Sequence, residues 1–238
     1  MIPCRECGKD SGWSRELINS ELFGGNESVA VCDPCVENYH RSQRQENYDK
    51  PDLSRSSIEE LIPIGYRETD ATMLPASAKA NLHSIMKWIP DYGKGLYLLG
   101  ETRQGKTRTM CLLLKELYRK NYNFKVFFAG DFHSKLAQAK QTQFYRSWFE
   151  DVISTPILCI DDLFAEKLTP TSQAGLFEII EQRMSRKLPN IITTQVKRSD
   201  AIKLFEDPNR GKAFLERLRE ISTLYTFNSE ILQEKLAV

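Results

Sequence analysis

Residues 95–107 constrain the fold more than any other part of the chain. Gly95-Leu96-Tyr97-Leu98-Leu99 is a short apolar run of the kind that forms a buried strand. Gly100-Glu101-Thr102-Arg103-Gln104-Gly105-Lys106-Thr107 follows at once and fits G-x-x-x-x-G-K-[ST]. From Arg108 to Lys120 the apolar residues recur at helical spacing. A strand, a glycine-bounded loop and a helix in that order form a phosphate cradle. The free N–H groups of the loop and of the helix start point at the anion, and the helix dipole adds to the attraction. Gly100, Glu101, Thr102, Arg103, Gln104, Gly105, Lys106, Thr107 and Arg108 are therefore the candidate nucleotide-binding residues, with ATP as the expected ligand. In this pattern the Lys106 ammonium reaches the β- and γ-phosphates, and the Thr107 hydroxyl takes a place on Mg²⁺.

The chain from about residue 58 onward alternates strands and helices. Strands are expected near 95–99, 124–129, 156–160, 189–194 and 222–227, and helices over 106–120, 131–149 and 171–186. An earlier helix runs from about Ala78 to Trp88 with Ser77 as its N-cap. This alternation predicts an α/β domain, a parallel sheet with helices on both faces, and a ligand site at the carboxyl ends of the strands. Pro156-Ile157-Leu158-Cys159-Ile160-Asp161-Asp162 is an apolar strand ending in two acids. It carries Asp161 to the sheet edge as a Mg²⁺ ligand, beside Asp162 as a group that orients the attacking water. Asn190-Ile191-Ile192-Thr193-Thr194-Gln195 is a further strand whose polar end offers Thr194 or Gln195 to the γ-phosphate. Between Asn209 and Glu220, Arg210, Lys212, Arg217 and Arg219 surround Phe214, Leu215 and Leu218, and spacing alone makes this a solvated amphipathic helix.

The N-terminal part has a different chemistry. Cys4, Cys7, Cys32 and Cys35 form two C-x₂-C pairs separated by 24 residues. Each pair supplies two thiolates from one tight turn, and two such turns close a tetrahedral Zn²⁺ site. His40 is a weaker substitute ligand. Cys111 and Cys159 fall in apolar helix and strand patterns and read as core residues. Residues 1–40 are thus expected to be a small zinc module that needs its metal to fold, 41–57 a polar linker, and 58–238 the nucleotide-binding domain. Over residues 1–45 five basic side chains stand against seven acidic ones, so the module suits a protein partner better than a phosphate backbone.

The whole chain carries 33 basic and 32 acidic residues, a net charge of +1. That excludes a global electrostatic footprint for nucleic acid, and any DNA contact must be a local patch. No apolar run reaches 18 residues and the first residues lack a signal-peptide core, so no membrane association and a cytoplasmic location are expected.

Taken together, the motifs of residues 58–227 resemble the AAA+ ATPases of the bacterial helicase-loader group, the DnaC/DnaI loaders and the related IstB-like transposition ATPases. Ile62-Pro63-Ile64-Gly65-Tyr66-Arg67 is similar to the segment that opens the family domain. Asp161-Asp162-Leu163-Phe164-Ala165-Glu166-Lys167-Leu168-Thr169 resembles its extended Walker B motif, and Leu188-Pro189-Asn190-Ile191-Ile192-Thr193-Thr194 its sensor strand. Phe214-Leu215-Glu216-Arg217-Leu218 resembles the segment carrying its arginine finger, which gives Arg217 a role at a neighbouring subunit's nucleotide. The resemblance implies a three-layer AAA+ domain without a helical lid, and a cysteine-rich N-terminal module is similar to that of the DnaI-type loader. Four positions depart from the family pattern. Arg103 and Phe164 stand where glycine is usual, Gln195 where asparagine is usual, and Asp162 replaces the glutamate of wider AAA+ proteins. A glycine at the first of these positions reflects an unusual backbone conformation or a close phosphate.

The resemblance implies an ATP-dependent loader that assembles as a homo-oligomer when ATP-bound, grips a replicative helicase and delivers it to single-stranded DNA. Its ATPase activity is expected to be slow and stimulated by partner or DNA. Two other readings remain open at this point: an IstB-like ATPase assisting a transposase on duplex DNA, and a zinc adaptor whose nucleotide site is a switch without turnover.

Overall fold

The computed structural model describes residues 57–90, 93–128, 130–165 and 168–228, and the backbone of two short N-terminal strands. The chain divides into two compact units, Met1–Asp49 and Lys50–Val238. In the first, β1 (Ser14–Leu17) pairs antiparallel with β2 (Val29–Cys32). The zinc assignment to Cys4, Cys7, Cys32 and Cys35 rests on side chains outside the described residues, as does His40.

The second unit contains α1 (Ala76–Met86), β3 (Gly95–Gly100), α2 (Lys106–Arg119), β4 (Phe124–Phe127), α3 (Asp131–Lys140), α4 (Tyr145–Ser154), β5 (Ile157–Ile160), α5 (Pro170–Ser185), β6 (Asn190–Thr194), α6 (Arg198–Lys203), α7 (Pro208–Glu220) and β7 (Ser222–Phe227). Single helical turns at Ile58–Leu61 and Ile64–Arg67 precede them. The five strands form one parallel sheet in the order β4-β5-β6-β3-β7. The three central strands are almost wholly buried, as a parallel sheet covered on both faces requires.

Strand alternation sorts the core into two layers. Leu158, Ile160 and Ile192 enter one large cluster with Phe132, Leu136, Ile179, Ile180 and Phe214, where α5 touches α3, α4 and α7. Leu96, Leu98, Cys159 and Ile191 are equally buried but lie outside it. Met110, Leu113, Leu114 and Leu117 of α2 are buried outside it too, and α2 packs on β3 and β6. The α/β architecture with helices on both faces is the one expected.

Two local expectations need correction. Residues 131–149 do not form one helix, because α3 ends at Lys140 and α4 begins at Tyr145. The Thr142 hydroxyl folds back onto the Ala139 carbonyl at 2.9 Å and accepts the Phe144 N–H at 3.3 Å, offering the backbone a turn in place of the helix ladder. Nor is Ser77 an N-cap. The helix starts at Ala76, and Ser77 Oγ instead donates to Gln104 Oε1 at 2.7 Å. That bond ties the start of α1 to the glycine-rich loop.

The ends of β5 and β6 remote from that loop are joined by one fully buried cation. Arg183 Nε donates to Asn190 Oδ1 at 2.6 Å, Nη1 to Thr155 O at 2.6 Å and Val152 O at 3.1 Å, and Nη2 to Pro189 O at 2.7 Å. The carbonyls at the end of α4 suit a cation, since the helix dipole is negative there.

Candidate nucleotide site

At the carboxyl edge of the sheet lies a cavity of about 680 Å³, lined by the loop after β3 and by Asp161, Asp162, Thr193 and Gln195. The helix α2 opens into it. Gly105 is its N-cap at φ +84°, no side chain caps the free N–H groups, and its first turn holds no acid. A Cβ at Gly105 would sit 2.8 Å from Pro75 Cδ and 2.9 Å from Ala78 Cβ, so only glycine fits here. The uncapped donors and the free space beside them fit a phosphate group.

Lys106 is buried at 8% exposure and donates from Nζ to the Glu101 carbonyl at 2.8 Å. Burial lowers its pKa, while the charges of Asp162 and Asp161 pull it back up. Asp161, at 7% exposure, accepts from Thr107 Oγ1 at 3.0 Å and from Thr193 Oγ1 at 2.6 Å, both on Oδ1. Its pKa is raised by burial, an effect the two hydroxyls oppose and Asp162 reinforces. Burial also raises Asp162, against the pull of Lys106. Thr107 and Asp161 thus supply a hydroxyl and a carboxylate side by side, the oxygen pair with which a protein holds Mg²⁺ when phosphates complete the shell. Among the described residues no group of three or more His, Cys, Asp or Glu side chains gathers around a metal-sized space.

The strand-end threonines divide by parity. Thr193 donates to Asp161 and its Oγ accepts the Asp162 N–H at 2.8 Å, so one hydroxyl holds both acids in place. Thr194, one of the two residues expected at the γ-phosphate, points to the other side. Its hydroxyl donates to the Leu163 carbonyl at 2.6 Å, and it does not line the cavity. Successive strand residues face opposite ways, so of the two alternatives Thr194 is turned away from the cavity. Gln195 does line the cavity, and its Oε1 accepts from Thr102 Oγ1 at 2.5 Å.

The positions where glycine is usual are special in the backbone. Arg103 has φ +65° and Phe164 φ +77°, both in the left-handed region. Phe164 offsets that strain by packing against Phe205 and Phe214, each with ring centroids 6.2 Å away. Arg103 is exposed at the cavity mouth and its guanidinium has no partner among the described residues.

The other wall comes from the segment that opens the domain. Tyr66, Met73, Leu74 and Pro75 line the cavity, and Arg108 lies 5.7 Å from the Tyr66 ring centroid while donating to Thr69 Oγ1 at 3.1 Å. The sequence reading attached no ligand contact to Tyr66, Met73, Leu74 or Pro75. The signal available was an aromatic and an apolar pair at residues 66–75, in a segment that opens the domain. Arg217 lies elsewhere. It is on α7, ion-paired with Glu181 and stacked on Phe177, and does not line this chain's own cavity.

With this geometry in place, comparison with known proteins assigns the family. The profile of the IstB-like ATP binding protein family matches residues 53–236. The chain belongs to this family. It is thus an ATP-binding protein, and the cavity above carries the loop that the family name implies. The IstB-like chain is also 29% identical over 222 residues to the replicative helicase loader DnaI of Bacillus subtilis (strain 168), covering 88% of this chain and 69% of that one. Its fold matches a crystal structure of DnaI with a TM-score of 0.59 at 20% identity, over 72% of this chain and all of that one. It matches the DnaC helicase loader with a TM-score of 0.57 at 22% identity, over 70% of this chain and all of that one. Among the described residues no helix is long and apolar enough to cross a membrane.

Proposed function

We propose that this protein is an ATP-dependent loader that delivers a replicative helicase to single-stranded DNA. The observation that carries the reading is the likeness to DnaI across 88% of the chain. The nucleotide cavity supports it, because the groups a P-loop ATPase needs are gathered there. In this reading the loop N–H groups and Lys106 hold the phosphates of ATP, with Thr107 and Asp161 on Mg²⁺. The metal, when bound, supplies charge neutralisation on the phosphate oxygens. Thr193 holds Asp161 and Asp162 in register, and Asp162 orients water. Of the two expected strand-end residues, Gln195 rather than Thr194 faces the γ-phosphate.

Residues 1–40 form the zinc module that grips the helicase, joined by the 41–57 linker to the ATPase domain. The protein assembles when ATP-bound, and Arg217 reaches a neighbouring subunit's nucleotide. ATP turnover is slow and rises with DNA and helicase.

The test is ATPase activity measured alone, with single-stranded DNA, and with DNA plus the cognate replicative helicase, alongside loading of that helicase onto a DNA circle. Stimulation by both additions and ATP-dependent loading are expected. Turnover that responds only to duplex DNA and a transposase would replace this reading with transposition. That second reading draws on the name of the family to which the chain belongs. ATP binding with no turnover under any condition would leave a nucleotide switch.

A further inference from the structure

Arg217 is not a loose surface side chain. Its Nε forms an ion pair with Glu181 Oε1. That carboxylate oxygen is shut off from solvent, so the guanidinium is the charge that compensates it. The guanidinium carbon also lies 4.9 Å from the centroid of the Phe177 ring, and Nη1 donates to the Ala213 carbonyl at 3.3 Å. Phe177 and Glu181 are four residues apart on α5 and so present one face of that helix. The Nε edge of the guanidinium is held by a carboxylate, and the group lies over an aromatic ring. Nη2 and one N–H of Nη1 are left without a protein partner among the described residues.

From this geometry we propose that Glu181 and Phe177 are positioning residues for Arg217, which present the outer Nη edge of its guanidinium to phosphate oxygens of ATP on a second copy of this chain. The inference rests on the reading of Arg217 as a residue that acts between subunits. Its physical content is pre-organisation. A free arginine has many rotamers to lose when it meets phosphate, and a guanidinium fixed at its Nε and over a ring has already lost most of them. The carboxylate stays on the Nε edge, so it orients the cation without occupying the end that a phosphate would use. Arg210, two turns earlier on α7, lies 5.3 Å from the same ring and adds positive charge beside it. The two side chains are about a third exposed, so the orienting effect is modest: about three- to fivefold in turnover, as for a well-placed surface ion pair.

The experiment compares steady-state ATPase of the full chain in wild type, Glu181→Gln, Arg217→Ala and the double variant, at protein concentrations spanning assembly. Glu181→Gln is expected to lower kcat about three- to fivefold with KM for ATP and Tm unchanged. It should have no further effect in the Arg217→Ala background. Glu181→Asp should recover part of the loss. Mixing Glu181→Gln with Lys106→Ala subunits should restore turnover, because the second subunit carries an intact Arg217 cradle and the first an intact nucleotide site. If Arg217→Ala lowers kcat but Glu181→Gln does not, or if the two losses add in the double variant, the positioning role is overturned while the intersubunit arginine stands. If Arg217→Ala itself retains wild-type kcat at every concentration, the intersubunit reading fails and this inference with it.

Discussion

Replacing Arg103 by glycine separates the two things that this side chain does. The residue sits at φ +65° inside the phosphate loop, where a non-glycine residue carries about 1–2 kcal/mol of backbone strain. Glycine relieves that strain but gives the unfolded chain more freedom, at a cost of about 0.4–1 kcal/mol. The difference is a net stabilisation of roughly 0.5–1 kcal/mol. For a chain of this length that raises Tm by about 1–4 °C. Arg103→Ala removes the same guanidinium but keeps the strain, so its Tm should stay close to wild type. Binding should respond in the opposite sense. The guanidinium stands unpartnered at the cavity mouth, exposed to water, and a screened contact with phosphate there is worth about 1 kcal/mol. Both variants should therefore bind ATP about fivefold more weakly. Differential scanning calorimetry and titration with a fluorescent ATP analogue, on both variants in the same buffer, read the two effects. A glycine variant no more stable than the alanine variant would show that the loop carries no strain at this position. Unchanged ATP affinity in both would show that the guanidinium does not reach the phosphates.

Other expectations concern the charges in the cavity and the metal of the N-terminal part. Lys106→Ala should abolish ATP binding by equilibrium dialysis, since its buried ammonium would face the phosphates directly. Asp161→Asn should retain ATP binding, lose Mg²⁺-dependent hydrolysis, and raise the Tm of the nucleotide-free protein at pH 7. The sign follows from the raised pKa of Asp161: the native state holds its proton to higher pH than the unfolded state. Native stability therefore falls as pH rises through that window, and the ionised carboxylate is a burden at pH 7. The gain in Tm from Asp161→Asn should shrink as the pH is lowered toward 4, and a gain that grows instead would contradict the assignment. Metal analysis of protein purified without chelator should find one Zn²⁺ per chain. Cys32→Ser should release the metal and leave ATP affinity within about twofold, because the zinc module folds on its own metal.

The elements that were legible in the sequence are those whose pattern has one reading. The run at 95–99, the G-x-x-x-x-G-K-[ST] loop and the periodic helix after it predict β3, the cradle and α2 to within a residue. The glycine-to-arginine departure at 103 points to an unusual backbone, and φ +65° is that conformation. What the sequence hid was decided by contacts between distant segments. Thr193 and Thr194 are the same residue type side by side, and only the pairing of β6 between β5 and β3 decides which one faces Asp161. The break between α3 and α4 comes from a threonine hydroxyl closing a turn, with no glycine or proline to mark it. Tyr66 and Arg108 meet across 42 positions of chain, a contact invisible to any local pattern.

The clamp at Arg183 divides the sheet into an anchored end and a working end. One side chain joins the end of α4 to the starts of β5 and β6, so those segments open to solvent together or not at all. Local opening at the cradle, where Lys106 Nζ must leave the Glu101 carbonyl to meet a phosphate, should stop before it reaches them. The backbone amides therefore form a gradient. Hydrogen exchange should be slowest in β5 and β6 next to the clamp and fastest at the loop of residues 101–105. Nucleotide binding should slow exchange in the fast half and leave the clamped half almost unchanged. β5 and β6 are tied together at one end, and the effect of ATP binding should be confined to the other.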